Sequence, residues 1–233
     1  MTGHASNPRF CVVDLGTRDY QEVWTLQKRL VELRADDQIP DVLLYVEHPH
    51  VITLGRKSKA EQEFVVRGRA PVYEIERGGE ATYHGPGQLV GYPIFKLQEG
   101  ERDLHRFLRN QEEALIRAIA PYGLVGDRNP GYTGVWCQDK KLASIGVAVR
   151  RWVTYHGFGL NVSTDLSYFG LINPCGLSAE IMSSVEVLAG RPVPMSEIKD
   201  AIAAEFESIF ARRLERAALE DVLNEPIPEG QAP

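Results

Sequence analysis

The sequence has few cysteines, no long apolar run and no excess of positive charge. Its three cysteines, Cys11, Cys137 and Cys175, lie far apart and form no Cys-x-x-Cys pair, which argues against a zinc ribbon, a redox dithiol or a disulfide framework. No apolar run approaches the about 20 residues that span a bilayer, and the opening MTGHASNPRF lacks the pattern of a signal peptide. The formal net charge of -6 argues against a general nucleic-acid binder. We therefore expect a cytoplasmic protein that binds neither nucleic acid nor membrane.

Phosphate-binding patterns are missing as well. Neither a GxxxxGK[ST] phosphate loop nor a GxGxxG dinucleotide fingerprint occurs, so no local pattern calls for ATP or NAD. His48 and His50, in EHPHV, have a spacing that could bind a metal, but two histidines without a clear third ligand are a weak signal. A His-Pro turn between two strands explains them more simply, and we predict no metal site.

The apolar patterns predict one domain of the α/β (α+β) class. Short apolar runs that end at glycine, proline or polar turns are typical of strands, and apolar residues at helical spacing indicate longer helices. The helices are predicted at about residues 20–34, 103–120 and 196–216, and residues 134–162 are predicted as antiparallel strands. Because strands and helices do not alternate strictly, we expect a mixed, mostly antiparallel sheet with packed helices. We predict a single domain over residues 1–216 and a flexible tail over 217–233, which is poor in core formers.

The stretch RGGEATYHGPGQLVGYPI, residues 77–94, concentrates five glycines and two prolines between apolar runs. Glycine lets backbone N–H groups approach a ligand closely, and Thr82, Tyr83 and His84 offer polar side chains beside them. A tight turn with purely structural demands is the alternative. The density of special residues favours a ligand site.

Cys175, in INPCGLS, lies between a proline and a glycine that could point its sulfur into a cleft as a nucleophile. A small, buried apolar residue is the alternative role for a free cysteine. A thiol nucleophile needs a partner that favours the thiolate, and His84, His156 or Lys141 could supply one. Lys141, in KKLASIGVAV, could turn inward on its strand, although a solvated lysine at the strand end is the more common outcome.

Five basic residues lie close together in an otherwise acidic chain: Arg56, Lys57, Lys59, Arg67 and Arg69. They could dock an acidic partner protein, or they could form a solvated loop.

Several blocks together resemble the bacterial lipoyl(octanoyl) transferase family. The blocks are EHPHVITLGR, RGGEATYHGPGQLVGYPI, KLASIG with Lys141, HGFGLNV and NPCG with Cys175, and they occur in the family's order. They cover the chain from about residue 42 to residue 178, and the central block and the Lys-Cys pair are specific. Glu80, Ala81 and Phe158 stand where the family pattern is loose, and no departure falls on a position that the chemistry needs.

The resemblance implies an acyltransferase. It implies that octanoyl-acyl carrier protein donates an octanoyl group, which passes through a cysteine thioester to a lysine ε-amino group. The implied acceptors are the lipoyl domains of 2-oxoacid dehydrogenase E2 subunits and of the glycine cleavage H protein, in the first step of endogenous protein lipoylation. The implied fold is similar to the catalytic domains of lipoate-protein ligases and biotin protein ligases. Neither ATP nor a metal cofactor is expected, because a carrier thioester is already activated.

The resemblance also assigns residues to roles. Cys175 is the implied nucleophile, and Lys141 holds it as thiolate and then relays protons. The implied substrate-binding residues surround the acyl chain and the thioester: Arg77, Gly78, Gly79, Glu80, Ala81, Thr82, Tyr83, His84, Ser144, Ile145, Gly146, Gly157, Phe158 and Gly159.

Three other functions stay open at this point. An ATP-dependent lipoate or octanoate ligase would use free acid, and Cys175 counts against it because that chemistry needs no cysteine nucleophile. An octanoyl amidotransferase, which moves octanoyl between lipoyl domains, would share Cys175 and is separated least well. A non-catalytic acyl-binding module on the same fold would bind ligand without turnover.

Overall fold

The computed structural model describes residues 8–58, 68–172 and 179–224. The strands in these residues are β1 (Arg9–Thr17), β2 (Asp41–Glu47), β3 (Val51–Leu54), β4 (Val72–Glu74), β5 (Ala81–His84), β6 (Gln88–Ile94), β7 (Asp127–Asn129), β8 (Tyr132–Cys137), β9 (Lys140–Arg150), β10 (Val153–Asn161) and β11 (Arg213–Arg216). The α-helices are α1 (Tyr20–Ala35), α2 (Leu104–Ile119), α3 (Val185–Ala189), α4 (Met195–Phe210) and α5 (Leu219–Asn224). In this part of the chain no helix is long and apolar enough to cross a membrane.

Eight of the strands form one mixed sheet in the order β11-β1-β2-β6-β10-β9-β8-β7. Strand β1 pairs parallel with β11 and with β2, whereas the other neighbours pair antiparallel. Strand β2 is apolar along almost its whole length because both faces of the sheet are covered there. The prediction of a mixed, mostly antiparallel sheet with packed helices is confirmed.

Helices cover both faces of this large sheet. Alternate residues of β1 separate into two cores: Phe10 and Val12 pack on the side of α2 and α4, and Cys11 and Val13 pack on the side of α1. Cys11 of β1 and Cys137 of β8 are both buried. The result is a sheet between two helical layers.

A second, three-stranded sheet has the order β4-β3-β5 and lies beside the first. Its core joins residues of β3 and β5 to the 3-10 helix Leu166–Leu171, with Ile52 and Phe169 fully buried. Two connections of similar length link the sheets, one from β2 to β3 and one from β5 to β6. The connection from β5 to β6 is the centre of the glycine-rich stretch.

The predicted run of antiparallel strands between residues 134 and 162 is confirmed, with two tight turns. Gln138 and Asp139 adopt φ angles of 51° and 59° between β8 and β9. Arg151 and Trp152 adopt φ angles of 51° and 59° between β9 and β10. Two successive left-handed residues are the geometry that matches the twist of a hairpin.

The C-terminal part of the chain differs from the prediction. Helix α4 ends at Phe210, since Ala211 takes a left-handed φ of 50° and stops the helix. Arg213 then donates its backbone N–H to the Pro8 carbonyl at 2.8 Å, and β11 extends the sheet where the sequence predicted helix to residue 216. Helix α5 falls in the predicted flexible tail, and its Val222 is fully buried in the core beside β1. The rest of that tail, residues 225–233, lies outside the described residues.

Candidate active site

A cavity of about 330 Å³ opens between the two sheets. Its walls are formed by residues 77–80, which lead into β5, and by the central parts of β9 and β10. The predicted site residues that line it are Arg77, Gly78, Gly79, Glu80, Ala81, Thr82, His84, Lys141, Ser144, Ile145, Gly146, Gly157, Phe158 and Gly159. Its volume falls in the range of small-ligand pockets, about 300–1,000 Å³. Three blocks that are far apart in the sequence therefore meet at one place.

One predicted site residue, Tyr83, is not part of this wall, and another, Cys175, cannot be placed relative to it. Tyr83 points to the opposite side of β5, where it is fully buried beside Phe169, because successive side chains of a strand alternate. Its hydroxyl lies 2.7 Å from His50 Nδ1, so Tyr83 supports the small sheet and does not line the cavity. Cys175 belongs to residues 173–178, which lie outside the described residues.

The glycines of the site allow three backbone segments to approach each other. A Cβ atom at Gly146 would lie 2.7 Å from the Gly78 carbonyl oxygen, and one at Gly157 would lie 2.1 Å from the Gly91 carbonyl oxygen. Gly146 and Gly157 are direct partners in the β9–β10 ladder. Side chains here would push apart the strands and the Arg77 segment, so the glycines keep the cavity narrow.

Arg77 joins the cavity wall to the small sheet. Its Nη2 donates to the Thr53 carbonyl at 2.8 Å and to Thr53 Oγ1 at 2.9 Å, and its Nη1 donates to the Gly78 carbonyl at 3.1 Å. The guanidinium group is almost completely buried. It therefore brings a fixed positive charge to the wall of the cavity.

Lys141 turns inward from β9. It is 4% exposed, so the expectation of a solvated lysine at the strand end is wrong. Its Nζ lies 5.8 Å from the ring centroid of Trp136 on β8, and its backbone carbonyl accepts the Ser183 N–H at 3.0 Å. A register shift between β8 and β9 near Trp136 interrupts simple alternation, which explains why the sequence pattern alone left the direction of Lys141 open.

His84 is the buried histidine of the glycine-rich stretch. Its Nδ1 lies 2.7 Å from Gln88 Oε1. Burial is the main reason that the pKa of His84 is lowered to about 3, and the positive charge of Arg77 acts in the same direction. The ring is therefore neutral at physiological pH.

His156 has an unusual backbone within β10. Its φ of 57° is rare for a residue with a side chain, and its N–H donates to Gln27 Oε1 of α1 at 2.8 Å. Its Nε2 lies 3.4 Å from Glu76 Oε2. That hydrogen bond is the main reason that the pKa of Glu76 is lowered to about 2, and burial lowers the pKa of His156. A strained conformation of this kind is common at functional sites.

The two histidines of the EHPHV block have structural partners. His48 is bonded through Nδ1 to the Arg18 carbonyl at 2.8 Å and through Nε2 to the Tyr92 hydroxyl at 2.9 Å. His50 stacks on Tyr168 with ring centroids 4.1 Å apart. In the part of the chain that the structure describes, no group of three or more His, Cys, Asp or Glu side chains could hold a metal ion.

Several lining residues were not predicted from the sequence. They come from α1, from α2 and from the first residue of β8: Tyr20, Leu104, Leu108 and Tyr132. Leu104 and Leu108 are one helical turn apart, a spacing that the sequence also shows for core positions. No signal in the sequence separates a cavity-lining leucine from a core leucine on the same helix face.

The basic residues divide between the cavity mouth and the surface. Arg56 and Lys57 are exposed immediately after β3, and Lys57 also lines the cavity. Arg69 is exposed before β4. Lys59 and Arg67 lie outside the described residues.

The chain is similar to known proteins over most of its length. The family model for the lipoyl protein ligase A/B catalytic domain matches residues 19–207. The octanoyltransferase of Rubrobacter xylanophilus is 46% identical over 202 residues, which cover 84% of this chain and 90% of that protein. The octanoyltransferase of Geobacter metallireducens is 45% identical over 201 residues, which cover 86% of this chain and 93% of that protein.

Solved structures show the same fold at low sequence identity. A putative lipoate protein ligase from Thermoplasma acidophilum with bound lipoic acid has a TM-score of 0.69 at 15% identity, covering 91% of this chain and 89% of its own. The biotin protein ligase from Aquifex aeolicus has a TM-score of 0.52 at 12% identity, covering 87% of this chain and 68% of its own. The chain belongs to the lipoyl protein ligase A/B catalytic-domain family, within its octanoyltransferases, and is an acyltransferase.

Proposed function

We propose that this acyltransferase takes octanoyl from octanoyl-acyl carrier protein through a thioester on Cys175 and passes it to a lysine of a lipoyl domain. The observation that carries the proposal is the position of Lys141. A buried lysine lines the same narrow cavity as the glycine-rich segment, at the end of β9 that pairs with Met182 beyond the NPCG block. A buried lysine ammonium stabilises a neighbouring thiolate, and the thiolate is the reactive form of cysteine.

In the first step, the Cys175 thiolate attacks the thioester carbonyl of the carrier. A new carbon–sulfur bond forms, the carrier's carbon–sulfur bond breaks, and the carrier thiolate leaves with a proton from the Lys141 ammonium, which leaves Lys141 neutral for the second step. One thioester replaces another, so the exchange costs little free energy. Donors from the glycine-lined backbone would stabilise the oxyanion that forms on the way.

In the second step, the acceptor lysine attacks the octanoyl-Cys175 thioester. Its amine must be neutral, although its usual pKa is about 10.4, so a group in the site has to accept a proton. The carbon–nitrogen bond forms, the bond to Cys175 sulfur breaks, and Lys141 relays the proton between the amine and the leaving thiolate. Amide formation from a thioester is downhill and drives the cycle.

The cavity suits a thin apolar chain. Ile145 and Phe158 contribute apolar wall from β9 and β10, and Leu104 and Leu108 contribute it from α2. Each buried methylene contributes about 0.8 kcal/mol at most. The proposed enzyme therefore distinguishes octanoyl from short acyl groups clearly, and from its nearest homologues only modestly.

The proposed reaction needs neither ATP nor a metal ion, because the donor thioester is already activated. The proposed acceptors are lipoyl domains of 2-oxoacid dehydrogenase E2 subunits and of the glycine cleavage H protein. A structural relative from Thermoplasma acidophilum is described as a bi-partite lipoate protein ligase with its E2 lipoyl domain, which supports an acceptor of this class. The exposed basic residues Arg56, Lys57 and Arg69 are the proposed docking site for the acidic carrier.

The test is the intact mass of the protein after mixing with octanoyl-acyl carrier protein in the absence of ATP. We expect a hydroxylamine-labile octanoyl adduct on the wild type and none on Cys175→Ala. No adduct, with activity that appears only when octanoate and ATP are added, would replace the proposal with a ligase. An adduct that forms only from octanoylated lipoyl protein would replace it with an amidotransferase. Binding without any adduct or turnover would leave an acyl-binding module.

A further inference from the structure

A buried chain of hydrogen bonds leads from the cavity to the strand of Lys141. His84 Nδ1 lies 2.7 Å from Gln88 Oε1, and Gln88 Nε2 donates to Asn161 Oδ1 at 2.9 Å. Asn161 Nδ2 donates to the Ser183 carbonyl at 3.0 Å, and the Ser183 N–H donates to the Lys141 carbonyl at 3.0 Å. All five residues are buried. The chain links the cavity-lining side chain of His84 to the backbone of Lys141 through the amides of Gln88 and Asn161.

Main-chain carbonyls fix the direction of both amides. Gln88 Nε2 also donates to the Tyr83 carbonyl at 3.1 Å, and Asn161 Nδ2 donates to the Ser183 carbonyl. Because a carbonyl oxygen only accepts, each NH₂ group must point at its carbonyl, and Gln88 Oε1 must then face His84. His84 Nδ1 therefore carries the proton, and Nε2 carries the lone pair.

The surroundings keep this ring neutral. An imidazolium ion at His84 would lose its hydration on burial and would face the positive charge of Arg77, with His48 and His156 as further neighbours. The ring also stacks on Tyr20, with centroids 6.1 Å apart. His84 lines the cavity, and Nε2 is the ring nitrogen that remains for a bound group.

The chain of bonds also explains a glycine of the HGFG block. A Cβ atom at Gly159 would lie 2.8 Å from Gln88 Oε1 and 3.3 Å from His84 Nδ1. A side chain at this position would therefore separate Gln88 from His84. Glycine at position 159 leaves the space that the contact between Gln88 and His84 needs.

We propose that Gln88 and Asn161 are positioning residues for the transfer reaction. Gln88 holds His84 as the Nδ1–H tautomer, so that Nε2 offers a hydrogen-bond acceptor to an N–H group in the cavity. Asn161 holds Ser183 against the backbone of Lys141 and so fixes the strand that carries this side chain. The role in transfer rests on the proposed function, whereas the tautomer does not.

The reaction brings one suitable donor into the cavity, the amine of the acceptor lysine. A neutral acceptor orients this amine without repelling the ammonium form in which it arrives. His84 does not keep the proton, and Lys141 remains the group that relays it. In this proposal His84 orients the amine, whereas Lys141 transfers the proton.

The first experiment is NMR of the protein labelled with ¹⁵N-histidine, without substrate. We expect His84 to show the Nδ1–H tautomer and to stay neutral between about pH 5 and pH 8. In Gln88→Glu, a carboxylate would face Nδ1 and raise the His84 pKa, so the protonated ring should appear within this range. The control is Gln111→Glu, the same change at a buried glutamine of α2, which should leave the His84 signals unchanged.

An Nε2–H tautomer in the wild type would overturn the proposed His84 tautomer. An unchanged His84 signal in Gln88→Glu would overturn the role of Gln88. Neither result depends on activity. A normal His84 signal together with no octanoyl adduct on Cys175 would instead reject the proposed function and leave the assignment of the tautomer intact.

The second experiment uses Asn161→Ala to separate the role of Asn161 from that of Gln88 in the chain of hydrogen bonds. This variant keeps the contact of Gln88 with the Tyr83 carbonyl, so the His84 tautomer should persist, while Ser183 loses its anchor. We expect kcat to fall by up to about 100-fold, the scale of a small misplacement, with KM nearly unchanged. A kcat that falls only in proportion to the unfolded fraction would show that Asn161 serves stability alone and would overturn its positioning role.

Discussion

Gly134 of β8 lies directly under the side chain of Lys141. A Cβ atom at Gly134 would be 3.0 Å from Lys141 Cε and 2.2 Å from the Ala143 carbonyl oxygen. The residue takes a φ of 144°, and its N–H donates to the buried Glu112 carboxylate at 3.0 Å. The Lys141 side chain can therefore point inward because Gly134, on the neighbouring strand, has no side chain.

Gly134→Ala should displace Lys141 and strain the hairpin. Overpacking of this kind costs about 1–3 kcal/mol of folding free energy, and the shifted ammonium should lower kcat more than the loss of folded protein explains. The measurement is urea unfolding together with steady-state transfer. The matched control is Gly190→Ala, which also has a positive φ, of 66°, but meets no atom within 4 Å. Equal effects of the two changes on kcat would contradict the role of Gly134.

Lys141→Met should remove the ammonium while it keeps most of the side-chain length. Without this positive charge the thiolate of Cys175 loses stabilisation, so its pKa should rise. The measurement is the rate of alkylation of Cys175 as a function of pH, with the buried Cys11 and Cys137 expected to react slowly. An alkylation profile that matches the wild type would remove Lys141 from the activating role.

The buried histidines should make the fold sensitive to mild acid. Burial is the main reason that the pKa of His48 is lowered to about 4 and that of His84 to about 3, below the about 6.5 of an unfolded chain. Between these values the unfolded state binds more protons, so stability is present above about pH 6.5 and falls as the pH drops. Each group contributes up to about 1.4 kcal/mol per pH unit.

Thermal unfolding at a series of pH values measures this slope. His48→Gln should give a shallower dependence of Tm on pH, because one of the titrating groups is gone. His105→Gln changes an exposed histidine and should leave the slope as in the wild type. A wild-type Tm that is constant from neutral to acidic pH would contradict the prediction.

Charge reversal at the exposed basic residues should weaken docking of the carrier. In the triple variant Arg56→Glu, Lys57→Glu and Arg69→Glu, we expect KM for octanoyl-acyl carrier protein to rise several-fold and to depend less on salt. Arg29→Glu places the same change on an exposed position of α1 and should have little effect. If KM and its salt dependence both stay as in the wild type, these residues are not the docking site.

Much of the site could be predicted because it depends on glycines, which few other residue types can replace. Glycine is required at Gly146 and Gly157 by close backbone approach and at Gly159 by the nearby Gln88 side chain, and such clusters are visible in the sequence. Tyr83 was misplaced because it shares its block with true lining residues, and only the alternation along β5 separates it from Thr82.

The less predictable features depend on contacts between distant segments. The direction of Lys141 follows from the irregular β8–β9 register, which no local pattern encodes. The end of α4 follows from a left-handed alanine and from an edge of β1 that was free to take another strand. The helical periodicity of the segment continued past Phe210, so tertiary pairing decided the structure of residues 213–216.

The pairing of β11 with β1 also affects the order in which the chain folds. It joins Arg9 to Arg213 and so closes a loop of roughly 200 residues. Contacts at such separation form late, because the entropy of loop closure must be overcome before they give any stabilisation. Until then the edge of β1 is open to pairing with other chains. Once β11 pairs, it becomes the edge of the sheet, and its short, charged sequence discourages pairing with other chains.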